Sequence, residues 1–83
     1  MDDSNFKRQL NILIKEIEQH KNDPESAPSY RFLLEQLSNL TLSNIGSRKG
    51  LIMHFLVDSY NGSSKIATQV GEFISLYTKR QPN

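Results

Sequence analysis

Cysteine is absent from this chain of 83 residues, which excludes disulfide bonds and every metal site built from thiolates. The only two histidines, His20 and His54, are far apart in the sequence and neither has a second histidine at ligand spacing. The sequence therefore predicts neither a structural metal ion nor a cofactor. Small domains without such supports often gain stability by self-association, so we expect a homodimer or a larger assembly.

The net charge is also small, and the apolar runs are short. Ten Lys and Arg against nine Asp and Glu give a net charge of +1, so the molecule lacks a field that would require nucleic acid or an acidic membrane. The longest run of apolar character, residues 51–57, has seven residues including one histidine, whereas a membrane span needs about 20. Residues 1–4, MDDS, are unlike a signal peptide, and we expect a cytoplasmic protein.

The charged residues are unevenly distributed along the chain. Residues 1–41 contain twelve of them and residues 42–83 contain seven, with Ser, Thr, Asn and Gln taking their place. A surface of this kind loses its water more easily than one of Lys and Glu, which favours an interface in the second half of the chain. A neutral polar surface without a partner fits the same composition.

Apolar spacing predicts one domain, residues 1–83, with an all-α fold of about four helices packed as a small antiparallel bundle. Helical spacing is clear in three segments, residues 4–21, 29–41 and 64–79. Prolines at positions 24 and 28 separate the first two helices, because proline cannot continue a helix.

The apolar run at residues 51–57 belongs to a segment, residues 48–60, that allows two structures. It can form a helix capped by Ser47, or a strand that opens a hairpin into residues 65–70. The neighbouring helices favour a helix. A helix that is apolar around most of its circumference is typically surrounded by other elements, so we expect it at the centre of the bundle.

The predicted core and dimer interface combine this run with the apolar stripe of the last helix. Their members are Leu51, Ile52, Phe55, Leu56, Val70, Phe73 and Tyr77. His54 within the run could be a proton switch or a ligand group, but we expect a histidine at the edge of the core that is satisfied by one hydrogen bond.

Two surface features could contact a partner. Phe32 lies off the axis of its helical stripe and beside Arg31, a good combination for a binding anchor, although Phe32 could also widen the core face. In a dimer, five cations could line a phosphate backbone: Arg48, Lys49, Lys65, Lys79 and Arg80. A helix-turn-helix over residues 64–80 is disfavoured because its second half is too apolar and too short.

Residues 35–40, EQLSNL, and residues 47–51, SRKGL, resemble the small biofilm-development and two-component connector proteins of the AriR/YmgB type. The matching positions are Lys49, Leu51, Ile52, Phe55 and Leu56 in the second segment and, with one gap, Glu35, Leu37 and Leu40 in the first. The similarity covers about half the chain, and Leu34 stands where the family has glycine. It implies a short, helical, self-associating regulator that touches a signalling or transcription protein near DNA.

The sequence has no recognisable catalytic pattern. No Ser nucleophile with a paired His and acid, no glycine-rich phosphate loop and no distinctive carboxylate pair can be identified. We therefore predict a non-enzymatic, cytoplasmic protein-interaction module, a regulator or connector that binds and modulates a partner protein. The alternative is a dimeric DNA-binding transcriptional regulator.

Overall fold

A computed structural model describes residues 3–78 of the chain as four α-helices joined by short turns. They are α1 (Asp3–Glu18), α2 (Ala27–Ser38), α3 (Ile45–Asp58) and α4 (Ser64–Thr78). Residues 3–78 contain no strand, so the predicted all-α fold is confirmed and residues 51–57 are helical. Of these four helices, none has the length and apolar character needed to cross a membrane.

The helices form the predicted antiparallel bundle. The Phe6 ring near the start of α1 lies 5.4 Å from the Phe73 ring and 5.0 Å from the Tyr77 ring near the end of α4. Phe32 in the first half of α2 likewise stacks on Phe55 in the last turn of α3. The most closely packed pairs are α1 with α2, α1 with α4, and α3 with α4. Helices α1 and α4 therefore occupy the middle of the bundle.

One cluster of buried side chains forms the core. Its members are Phe6, Leu10, Leu13, Ile17, Tyr30, Leu33, Leu37, Leu40, Ile45, Ile52, Ile66, Val70, Phe73 and Ile74. Both α1 and α4 contribute a stripe of four apolar residues to it, whereas α3 contributes only Ile45 and Ile52.

The prediction that α3 lies at the centre of the bundle is wrong. Within residues 51–57 only Ile52 is fully buried, while Leu51 is 51% exposed and Val57 is 82% exposed. The reason is that α1 and α4 each have one well-defined apolar stripe, and two such stripes facing each other fill the middle. A helix that is apolar on most sides can lie at the edge, where one side is covered and the others face water.

Helix α3 also begins three residues earlier than predicted. The Asn44 side chain accepts a hydrogen bond from the Thr41 backbone N–H at 2.8 Å and donates one to the Asn39 carbonyl at 3.0 Å. These bonds fix the turn after α2, so that the chain is already helical at Ile45. Ser47, the predicted cap, lies inside the helix and donates to the Asn44 carbonyl at 3.0 Å.

The turn between α3 and α4 is fixed to the start of α2. The Ser63 backbone N–H donates to the Tyr30 hydroxyl at 2.8 Å, and the Asn61 backbone N–H donates to the Ser29 hydroxyl at 2.9 Å. The Tyr60 hydroxyl donates to the Ser63 carbonyl at 2.8 Å. Burial, and then the neighbouring Tyr30 hydroxyl, raise the pKa of Tyr60 above its ordinary value. Tyr60 therefore stays neutral and keeps this bond well into the alkaline range.

Candidate functional site

Helices α2 and α3 share a partly exposed surface that we call the α2–α3 face, formed by Phe32, Gln36, Arg48, Leu51 and Phe55. The Phe32 and Phe55 rings stack with their centroids 4.2 Å apart and their planes 34° from parallel. Leu51 lies one helical turn before Phe55 on the same side of α3. Two aromatic rings and a leucine thus meet where α2 and α3 face solvent.

Arg48 adds a positive charge to this face. Its Nη1 donates a hydrogen bond to the Gln36 side-chain oxygen at 3.1 Å, which joins α3 to α2 and holds the guanidinium in place. A guanidinium has five N–H donors, and this bond uses one of them. The α2–α3 face therefore combines an aromatic stack, an aliphatic side chain and an oriented arginine.

His54 and Asp58 lie at the edge of the same face. His54 Nε2 is 2.9 Å from Asp58 Oδ2, and both side chains are exposed. The prediction of a histidine at the edge of the core is wrong. Position 54 is about 200° around the helix from buried Ile52, which places His54 on the solvent side.

The predicted core and interface residues differ in burial. Ile52, Val70 and Phe73 are buried, Phe55, Leu56 and Tyr77 are half-buried, and Leu51 is exposed. Phe73 and Tyr77 pack α4 against α1, away from the α2–α3 face. Tyr77 also accepts a hydrogen bond from the Asn5 side chain at 3.4 Å and donates one to Gln9 at 3.0 Å.

The described cations do not form one basic cluster. Arg31 and Lys49 are exposed, and Lys49 points away from the α2–α3 face because it is about 100° around the helix from Arg48. Lys49 also lies nine residues, about 13.5 Å, before the end of α3, whereas Lys65 lies in the next helix. Lys79 and Arg80, the two other predicted contacts, lie outside the described residues.

A second feature is an open groove between α1 and α4, which the sequence does not predict. It has a volume of about 160 Å³ and is lined by Gln9, Ile12, Leu13, Glu16, Gln69 and Phe73. The Gln69 side-chain oxygen is buried there without a hydrogen-bond partner. Glutamines on a helix surface are common, so the sequence offered no signal for the groove. Within residues 3–78 no group of three His, Asp or Glu side chains could hold a metal ion.

The residues of the α2–α3 face are those that protein interfaces favour. Aromatic side chains and arginine are enriched at the centres of interfaces, where they supply much of the binding energy. The predicted anchor Phe32 belongs to this face, with Arg31 exposed beside it in the sequence. Comparisons with models of protein families, with curated protein sequences and with solved structures find no match for this chain.

Proposed function

We propose that this chain is a non-enzymatic protein-interaction module, a cytoplasmic regulator or connector that binds and modulates a partner protein through the α2–α3 face. The observation that supports the proposal is Leu51, which is 51% exposed beside the stacked rings of Phe32 and Phe55. An apolar side chain with two aromatic neighbours gains free energy when a partner removes it from water.

The size of this gain fits a reversible contact. Covering the exposed half of a leucine is worth about 1 kcal/mol, and the half-buried rings of Phe32 and Phe55 add apolar area next to it. Arg48 is already oriented by Gln36, so less side-chain freedom is lost when it binds an acceptor on the partner. A regulator that must bind and release its partner needs an interface of this moderate strength.

A pull-down with matched variants tests the proposal. Leu51→Glu places a charge on the α2–α3 face, and Ile12→Glu places the same charge at a residue of α1 that is 60% exposed. We expect a protein from the native cell to be captured by the wild type and by Ile12→Glu, and its recovery to fall about tenfold with Leu51→Glu. Helical circular dichroism checks that both variants are folded. Equal capture by all three proteins would exclude this face as the binding site.

The predicted alternative, a DNA-binding regulator, is not favoured by any observation on the described residues. Lys49 points away from Arg48, and Lys65 lies in the next helix, so these cations do not line one surface. Binding of this kind would be lost steeply as salt is raised, and no retention on duplex DNA at low salt would exclude it. The resemblance to AriR/YmgB-type connectors agrees with a regulatory role and stays a prediction.

A further inference from the structure

Helix α3 has a stripe of four residues whose spacing is that of a coiled-coil seam. Arg48, Leu51, Phe55 and Asp58 follow one another at steps of three, four and three, which keeps them on one side of the helix over about 15 Å. The stripe begins with a positive charge, continues with two apolar side chains and ends with a negative charge. The spacing of three, four and three residues is the same from either end of the stripe.

We infer that the occupant of the α2–α3 face is a second copy of this chain, with its α3 antiparallel to the first across a two-fold axis. The inference rests on the proposed function, because it names the partner for the same face. The two-fold axis would pass near residue 53, since positions 48 and 58, and positions 51 and 55, lie at equal distances on either side of it. A symmetric stripe of this kind can bind itself.

In this arrangement every residue of the stripe meets a complementary one. Leu51 packs against Phe55 of the partner subunit, and Arg48 lies beside Asp58 of the partner subunit. The two-fold axis repeats both contacts. Phe32 extends the apolar centre because it stacks on Phe55 at 4.2 Å within each copy. The four charges then lie at the two ends of an apolar centre, where they fix the register of the helices.

Charge decides the direction of the pairing. A parallel arrangement would place Arg48 beside Arg48 of the partner subunit and the two Asp58 carboxylates beside each other, and such like-charge pairs are unfavourable. Contacts within each copy permit the antiparallel arrangement. Arg48 uses one of its five donors on Gln36, and one oxygen of Asp58 faces His54. Both groups retain further hydrogen-bonding capacity for a partner.

Two charge reversals test this pairing when they are measured separately and then mixed. In a homodimer, Arg48→Glu alone places two carboxylates together at both ends of the stripe, and Asp58→Arg alone places two guanidinium groups together at both ends. Each should weaken self-association about a hundredfold, tenfold for each repulsive pair. An equimolar mixture restores opposite charges at both ends. Sedimentation equilibrium should therefore find a dimer for the wild type, monomers for each variant alone, and a dimer for the mixture.

Lys49→Glu and Glu72→Arg are the matched controls, because they make the same charge changes at exposed residues outside the stripe. Both should dimerise as the wild type does. A monomeric wild type at every soluble concentration, or a mixture that stays monomeric, would overturn the inference. If the wild type is monomeric but the Leu51-dependent capture described above persists, only the inference fails. If Leu51→Glu changes neither capture nor self-association, the proposed function fails as well.

Discussion

Gly62 occupies a position where the fold leaves no room for a side chain. A Cβ there would lie 2.5 Å from the Tyr60 hydroxyl oxygen and 2.9 Å from Cζ of Tyr30, and Tyr30 is fully buried. Gly62→Ala must therefore displace one of the rings that fix the α3–α4 turn. We expect it to lower the free energy of unfolding by about 1–3 kcal/mol, measured by urea denaturation followed by circular dichroism.

Gly50 gives the matched control for this substitution. It lies within α3, and an added Cβ would meet no atom within 4 Å. Gly50→Ala should raise the free energy of unfolding by up to about 1 kcal/mol, because alanine is the better helix former. If both substitutions changed the free energy of unfolding by the same amount, the tyrosine rings around Gly62 would not be what excludes a side chain there. The sequence could not reveal the two tyrosine rings beside Gly62.

At the scale of single elements, α3 contains neighbouring residues with opposite environments. Ile52 is fully buried, and Leu51 is 51% exposed. Ile52→Ala should lower the free energy of unfolding by about 2–4 kcal/mol, through lost apolar contacts and a cavity. Leu51→Ala should cost less than about 1 kcal/mol. Urea denaturation at low protein concentration measures both losses of unfolding free energy without a contribution from self-association.

A larger loss for Leu51→Ala than for Ile52→Ala would show that α3 turns its other side to the core. The side of α3 that faces the core could not be predicted from the sequence. The stripes of α1 and α4 have helical spacing with polar residues opposite, so their inward sides were predictable. Residues 51–57 are apolar at nearly every position, and the choice of the buried side depends on which helix lies beside them.

The start of α3 was unpredictable for a different reason. Gly46 and Ser47 resemble turn residues, and propensity alone places the helix start after them. The Asn44 side chain accepts a hydrogen bond from the Thr41 N–H and donates one to the Asn39 carbonyl, which closes the turn earlier and makes the helix begin at Ile45. Contacts between residues three to five positions apart thus outweighed the local preferences of Gly46 and Ser47.

The contacts that form the α2–α3 face could not be predicted from the sequence either. The off-axis position of Phe32 was visible in the sequence, but its stacking on Phe55 was not.

Across the whole molecule, the contact between α1 and α4 joins the two ends of the described chain. The Tyr77 ring packs edge-on against Phe6 at 5.0 Å, and its hydroxyl donates to Gln9 at 3.0 Å. Contacts between residues so distant in sequence hold only when the segments between them are folded. We therefore expect the four helices to unfold together in one cooperative transition.

Tyr77 substitutions test this cooperativity from one end of the bundle. Tyr77→Ala removes the ring contacts and should lower the free energy of unfolding by about 3 kcal/mol, whereas Tyr77→Phe loses only the hydroxyl and should cost about 1 kcal/mol. The chain has no tryptophan, so the fluorescence of Tyr77→Ala comes from Tyr30 and Tyr60, which lie near the start of α2. The urea midpoint measured by this fluorescence should equal the midpoint measured by circular dichroism, and both should lie below the wild-type value. The opposite result would be a fluorescence midpoint that stays at the wild-type value while the circular dichroism midpoint shifts. It would show that the bundle has two independent halves, because loss of the α1–α4 contact would leave the region around Tyr30 and Tyr60 folded.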